Sequence, residues 1–519
     1  MATLLDLLGQ ELTSTALLLL VMALLLALGF EFVNGFHDTA NAVATVIYTR
    51  SLPPGWAVVW SGLWNLIGVL VSSGLVAYSI VALLPVELVL NVDSGAGFAM
   101  VFALLLAAIL WNLGTWYLGL PASSSHTLIG SILGIGLTHA VWSAGLTPAQ
   151  WGQGLNWVKV QEVFLALLIS PLLGFVGAGL LLLLAQTLLF QPALDQAPKD
   201  EPPPFWIRTL LILTCTGVSF AHGSNDGQKG MGLIMLILVG LLPGLFALNL
   251  SLSSADLAQL TASLEAATLP PLTPAFPADL TQSRSELESF LAAPVAANPA
   301  SQPVAQSASQ PVSQPVSRPV QPPLIALSQL QQDVLTRLSP PASLAQLSRA
   351  EKLALRDELY LISASLNRLE QQGQLPSGLD HQTVAAYQQS LKTLTQFIPV
   401  WVKLAVALAL GLGTTVGWRR IVTTVGEKIG QDHLTYGQGA TAELMAMGTI
   451  LAADVWGLPV STTHVLSSGV AGSMAASRSG LQGSTVRNIL LAWVLTLPVC
   501  MGLSGGIFAV CLAVLGLRG

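Results

Sequence analysis

Two short stretches repeat one set of chemical groups: "GLPASSSHTL" at 119–128 and "GLPVSTTHVL" at 457–466. In each, a proline is followed by three consecutive hydroxyls and a histidine, ahead of an apolar run. These are Ser123, Ser124, Ser125 and His126 in one copy, and Ser461, Thr462, Thr463 and His464 in the other. Proline in a first turn and Ser/Thr as capping residues are how helices begin. A helix start presents unpaired backbone N–H groups and the positive end of the dipole, which suits an anion. Two such starts facing one another would form a donor cage for a tetrahedral oxyanion. With no lysine or arginine needed inside, release stays easy.

A second pair supplies acceptors. "FVNGFHDTANA" at 32–42 aligns without a gap to "FAHGSNDGQKG" at 220–230. The alignment pairs Asp38 with Asp226, with Asn41, Asn225 and Gln228 around them. Carboxylates beside an anion site make sense if the ligand carries a proton or arrives with a cation. Hydrogen phosphate can donate its O–H to a carboxylate; sulfate has no such proton at neutral pH. A carboxylate pair can also hold a coupling proton or ion, as intramembrane acids do. Phosphate is therefore the favoured oxyanion, with another such as sulfate as the alternative.

The elements that must position these groups are set by composition. Hydrophobic residues make up 53% of 519 and charged residues 9%, with mean hydropathy +0.68. A soluble chain would carry about 25% charged residues. The fold expected is an all-α polytopic membrane protein of about ten crossings, each of roughly 20 apolar residues. Apolar runs near 12–48 and 205–248 are too long for one straight span and hold polar, Gly-rich second halves, so broken helices are expected there. The crossings that meet at "GLP" read equally as full spans or as re-entrant hairpins. The net charge of −6 decides little. With the N-terminus outside, Arg50, Lys199, Arg208, Arg419, Arg420, Lys428, Arg478 and Arg487 all fall on the cytoplasmic side, with Lys159 the exception. That distribution agrees with the positive-inside rule. The N-terminal segment has no basic region or clear cleavage site and reads as a retained helix. Cys215, Cys500 and Cys511 have no paired spacing and read as packing residues.

Residues 249–397 differ. "SQPVAQSASQPVSQPVSRPVQPP" cannot bury a core and should be disordered or extended. The following "SLAQLSRAEKLALRDELYLISASLNRLEQQ" has helical periodicity. The expected organisation is a first transmembrane repeat over 1–190, a cytoplasmic linker at 191–204 and the start of a second repeat at 205–248. A hydrophilic insert at 249–397 and the rest of the second repeat at 398–519 complete it. Both termini and the insert are then periplasmic. Because the motifs recur in order, a five-crossing unit would make the copies inverted, as in secondary transporters.

"FVNGFHDTANAVATVIYTRSLPP", "WNLGTWYLGLPASSSHTLIG", "AHGSNDGQKGMG" and "GWRRIVTTVGEKIG…GLPVSTTHVLSS" resemble the inorganic phosphate transporter (PiT) family, bacterial low-affinity Pit-type symporters in particular. The resemblance covers nearly all of the chain outside 249–397. It implies phosphate uptake across the bacterial inner membrane, the substrate in this branch often being a neutral divalent metal–phosphate complex moved with protons. Other branches use sodium, which stays the alternative. It implies site roles for Asp38, Asn41, Asn225, Asp226, Ser123–Ser125 and Ser461–Thr463. The chain departs in its second motif, where Gln228 stands opposite Ala40, so the two half-sites are chemically unlike. The resulting expectation places substrate on the hydroxyl triplets and Gln228, and the coupling ion or proton on Asp38, Asp226, Asn41 and Asn225.

Plainer readings compete. The acids and hydroxyls could be helix caps, but burying a carboxylate costs several kcal/mol and duplication favours function. His126 and His464 divide evenly between orienting the site and packing. His37 and His222 carry no firm assignment. Glu31, Glu443 and Asp454 are reserve candidates for coupling, and Lys229 and Arg50 read as interface anchors. An intramembrane hydrolase would need one asymmetric Ser/His/Asp set rather than doubled elements. An anion channel would favour a ring of basic residues. No enzyme activity, cofactor or nucleic-acid partner is expected; membrane lipid surrounds the chain, and a homo-oligomer is compatible with the sequence.

Overall fold

A computed structural model describes residues 13–83, 94–144, 155, 157–189, 191–198, 201–266, 280–292, 322–339, 344–375 and 381–516. The Pro/Ser/Gln tract at 301–323 lies almost wholly outside them. The described residues divide into two compact units, 1–241 with 398–519, and 242–397.

The larger unit is helical. It contains α1 (Ser14–Tyr48), α2 (Pro54–Val71), α3 (Leu75–Val81), α4 (Gly95–Tyr117), α5 (Ser124–Ala144), α6 (Trp157–Leu189) and α7 (Phe205–Leu241). The smaller unit supplies α8 (Ser254–Ala266), α9 (Leu280–Ala292), α10 (Pro322–Leu338), α11 (Arg349–Gln371) and α12 (His381–Thr395). The chain returns to the larger unit with α13 (Val400–Thr414), α14 (Tyr436–Val455), α15 (Thr462–Ala476) and α16 (Gly483–Val514). Local signals start these helices. Thr13 caps α1, Ser94 caps α4, and Thr435 with Gln438 forms a capping box on α14.

Among the described residues six helices are long and apolar enough to cross a bilayer: α1, α2, α4, most of α6, α7 and α16. Their outer faces leave Leu25, Leu172, Leu180 and Val494 at least 61% exposed. Water would penalise so broad an apolar surface; lipid does not. This is a membrane protein. The helices carrying the hydroxyl triplets, α5 and α15, are not among the six. With 15 residues α15 is about 22 Å long, short of the ~30 Å hydrocarbon core.

The expectation of broken helices is corrected. α1 runs for 35 residues and α7 for 37 without interruption. Their glycines serve close packing instead of a break. A Cβ on Gly35 would overlap the Leu410 carbonyl of α13, and one on Gly223 would overlap the Asn65 backbone of α2. Reciprocally, Gly68 meets Phe220 and Gly413 meets Phe32. Glycine costs about 1 kcal/mol per position in a helix interior. Backbone-to-backbone contact offsets that and brings the polar second halves of α1 and α7 beside α5 and α15.

The smaller unit has its own core. Leu355, Leu359, Ile362, Leu366 and Leu369 recur every three or four residues along α11, giving it one apolar face. That cluster also takes in Leu327, Leu330 and Val334 of α10 and Tyr387, Leu391 and Leu394 of α12. The helical periodicity read from the sequence lies in α11, opened by a capping box of Ser348 and Glu351.

Candidate functional site

Both hydroxyl triplets open a helix, and the three positions divide the work. The first hydroxyl is a cap: Ser123 Oγ accepts from His126 N at 3.2 Å, and Ser461 Oγ accepts from His464 N at 3.1 Å. Ser124, Thr462 and Thr463 turn to the acids, and Ser125 does not. Ser124 donates to Asp38 Oδ2 at 2.5 Å, while Thr463, from the other copy, donates to Asp38 Oδ1 at 2.8 Å. Thr462 lies 3.4 Å from Asp226 Oδ2. Ser125 donates to the Val460 carbonyl at 2.7 Å, joining the two helix starts. All six hydroxyl residues are buried.

Asp38 thus accepts one hydroxyl from each triplet, and His37 Nδ1 at 2.9 Å as well. His37 also sits 3.0 Å from Thr115 Oγ1. Asp226 has different company. Lys229 donates to its Oδ1 at 2.6 Å, and His222 Nε2 lies 3.3 Å from Oδ2. The imidazole is turned by Asn65, whose Oδ1 is 2.8 Å from His222 Nδ1. His222 Nε2 is left buried without a hydrogen-bond partner.

Asp38, His222 and Asp226 each offer one ligand atom, and these atoms lie within 4.8 Å of one another. Two carboxylates and an imidazole form a mixed oxygen–nitrogen set that suits a divalent transition metal or zinc. His222 Nε2, buried without a hydrogen bond, fits that set as its nitrogen donor.

The remaining expected residues fall in several places. Asn225 ties the segment before α15, donating to the Leu458 carbonyl at 3.2 Å and accepting from Val460 N at 3.5 Å. Gln228 makes its hydrogen bonds elsewhere: to the Ser224 carbonyl, to Asp454 Oδ1 at 2.5 Å, and from Val76 N at 3.0 Å. The side chain of Asn41 lies outside the described residues. His126 and His464 meet at a 40° tilt with ring centroids 4.5 Å apart, and His464 stacks on Trp493 at 4.0 Å. Among the reserve acids, Glu31 is buried against Gly230, and Glu443 accepts from Thr214. Asp454 accepts from Ser224 and Gln228.

Lys229 overturns its reading as an interface anchor. It is fully buried, with its ammonium on Asp226, on Ser125 Oγ at 2.5 Å and 3.5 Å from the Val460 carbonyl. Its i,i+3 spacing from Asp226 on one helix was the available signal. Arg50, by contrast, is exposed.

Comparison with known proteins identifies the family. The profile of the phosphate transporter family matches residues 34–504. The chain belongs to that family. It is 41% identical over 503 residues to the low-affinity inorganic phosphate transporter PitA of Escherichia coli strain K12, covering 95% of this chain and 96% of that one. PitB of the same strain is 42% identical over 523 residues, covering 95% and 97%. A solved sodium-dependent phosphate transporter aligns at 18% identity and TM-score 0.48, over 95% of this chain and 98% of its own. Family membership makes the chain a transporter of phosphate and not an enzyme.

Proposed function

We propose that the protein imports inorganic phosphate across the bacterial inner membrane by proton symport, the phosphate entering as a complex with a divalent metal ion. The observation that carries this reading is the double claim on Asp38 by Ser124 and Thr463. A hydroxyl has one proton to donate. In the arrangement described these two protons go to Asp38; with an oxyanion between the helix starts they go to the anion. Asp38 then keeps His37 but loses two donors while buried, where a poorly compensated carboxylate costs several kcal/mol. Taking up a proton, or sharing the metal ion that travels with phosphate, removes that cost. Substrate and coupling ion thereby stabilise one another. Asp38, His222 and the Asp226 carboxylate, whose Oδ2 lies on the His222 side and not on Lys229, support a metal ion as part of the cargo.

The same reading takes the two motif pairs as inverted repeats of about ten crossings. It puts both termini and residues 249–397 on the periplasmic side. Reconstitution into proteoliposomes tests the proposal. Labelled phosphate should accumulate under an imposed pH gradient with magnesium or another divalent ion present, and excess sulfate should compete poorly. Accumulation driven only by a sodium gradient would transfer the coupling role to sodium, and strong sulfate competition would overturn the choice of substrate.

A further inference from the structure

The two acids of the site sit at equivalent positions of an internal repeat, yet their surroundings differ in charge. Asp38 is surrounded by Ser124, Thr463 and His37. Asp226 carries an ammonium from the next turn of its own helix. The gapless alignment puts Lys229 opposite Asn41, so one copy has a basic residue where the other has an amide. Lys229 is the one buried lysine or arginine among the described residues of the membrane unit. Its flexible stem is anchored deep in the bundle, and its partners are an acid, a hydroxyl of the opposite triplet and a backbone carbonyl. A carboxylate, a hydroxyl and a carbonyl are the oxygen ligands that would hold a small monovalent cation.

We infer that the Lys229 ammonium is a resident cation, occupying beside Asp226 the place a mobile coupling cation would otherwise fill. This rests on the reading of the site as one that binds phosphate together with cations. Intramembrane carboxylates must be paired or neutralised in every conformation of the cycle. At Asp38 the resident partners are hydroxyls and the His37 imidazole, and the mobile cation is carried across with the substrate. At Asp226 the positive charge is covalently attached and returns with the protein. The tether therefore removes one mobile cation from the transport stoichiometry. It also holds a positive charge against Ser125, at the edge of the oxyanion cage.

The test uses the full-length protein in proteoliposomes, with phosphate uptake measured in choline, sodium, lithium or potassium media. Lys229→Asn, which installs the amide of the first copy, should lose uptake in choline by at least about tenfold, since it leaves buried Asp226 with His222 and Thr462 but without its ammonium. Sodium or lithium should restore it to within about threefold of the parent, with one more cation in the cooperativity than the parent shows. Thermal stability of the variant should rise with the same cation, and that of the parent should not. The double variant Asp226→Asn/Lys229→Asn, which leaves no unpaired charge, should bind phosphate without any added monovalent cation. Full uptake by Lys229→Asn in choline would overturn the inference, as would failure of every cation to restore a folded variant. If the single variant does not fold, a double variant that binds phosphate only when sodium is added overturns it equally. Sodium dependence in the parent itself would refute proton coupling but leave the inference standing, provided Lys229→Asn adds one further cation.

Discussion

Asp38 accepts a hydroxyl hydrogen bond on each of its oxygens, from Ser124 and Thr463. Changing Asp38 and changing its donors should therefore have different effects. Asp38→Asn keeps the shape but cannot take up and release a proton. It is expected to retain phosphate binding and counterflow while losing accumulation driven by a pH gradient. Gradient-driven accumulation by this variant, measured beside counterflow in the same vesicles, would remove Asp38 from the coupling role. Ser124→Ala and Thr463→Ala each delete a donor to a charged group, worth about 1.5–3 kcal/mol. Apparent phosphate affinity should fall by roughly tenfold to a hundredfold in each, read from the concentration dependence of uptake. Gln228 provides the control, because its hydrogen bonds tie Ser224, Asp454 and Val76 and not the triplets. Gln228→Met should lower thermal stability and leave phosphate affinity within about twofold, since a lost buried hydrogen bond acts mainly on folding. A change in affinity as large as that of Ser124→Ala would return Gln228 to the substrate site.

At the scale of elements, the long helices cross where glycine removes a side chain. Gly223→Ala would press a methyl into the Asn65 backbone, whereas Gly29 has nothing within 4 Å of its missing Cβ. Overpacking of this kind costs about 1–3 kcal/mol, so Gly223→Ala should lower the unfolding temperature in detergent and Gly29→Ala should not. Equal behaviour of the two would show that these crossings can relax. The same glycines explain what the sequence did and did not disclose. Hydrophobic runs announced the helices, and "GLPASSSHTL" with "GLPVSTTHVL" announced two helix starts rich in donors. A run of Gly among polar residues, however, has the same composition whether it breaks a helix or lets another backbone approach. Only the partner helix decides, and it lies far away in sequence. Lys229 was obscured for a similar reason. A lysine near Gly-rich polar residues looks like an interfacial anchor until the depth of its helix is known. The hydroxyl positions were legible as a group; their division into cap and donor depends on rotamers that spacing does not encode.

At the scale of the whole molecule, residues 249–397 contain neither repeated motif, and the compact unit 242–397 packs its own apolar core. Replacing 249–397 with a short flexible linker should leave phosphate uptake largely intact; loss of transport in a correctly inserted, well-expressed variant would show that this unit takes part. Its side of the membrane can be read independently. Ser263 is exposed on α8, and of the native cysteines Cys215 and Cys500 are buried while half-buried Cys511 is first changed to Ser. Ser263→Cys should react with an impermeant thiol reagent in intact spheroplasts, and labelling only after lysis would overturn the proposed topology. The asymmetry between Asp38 and Asp226 makes the two halves unlike partners, as the two chains of a heterodimer are. One copy carries an ammonium where the other has an amide, while Asp38 draws donors from both. Split and co-expressed, two first halves would lack the built-in cation, and two second halves would carry it twice.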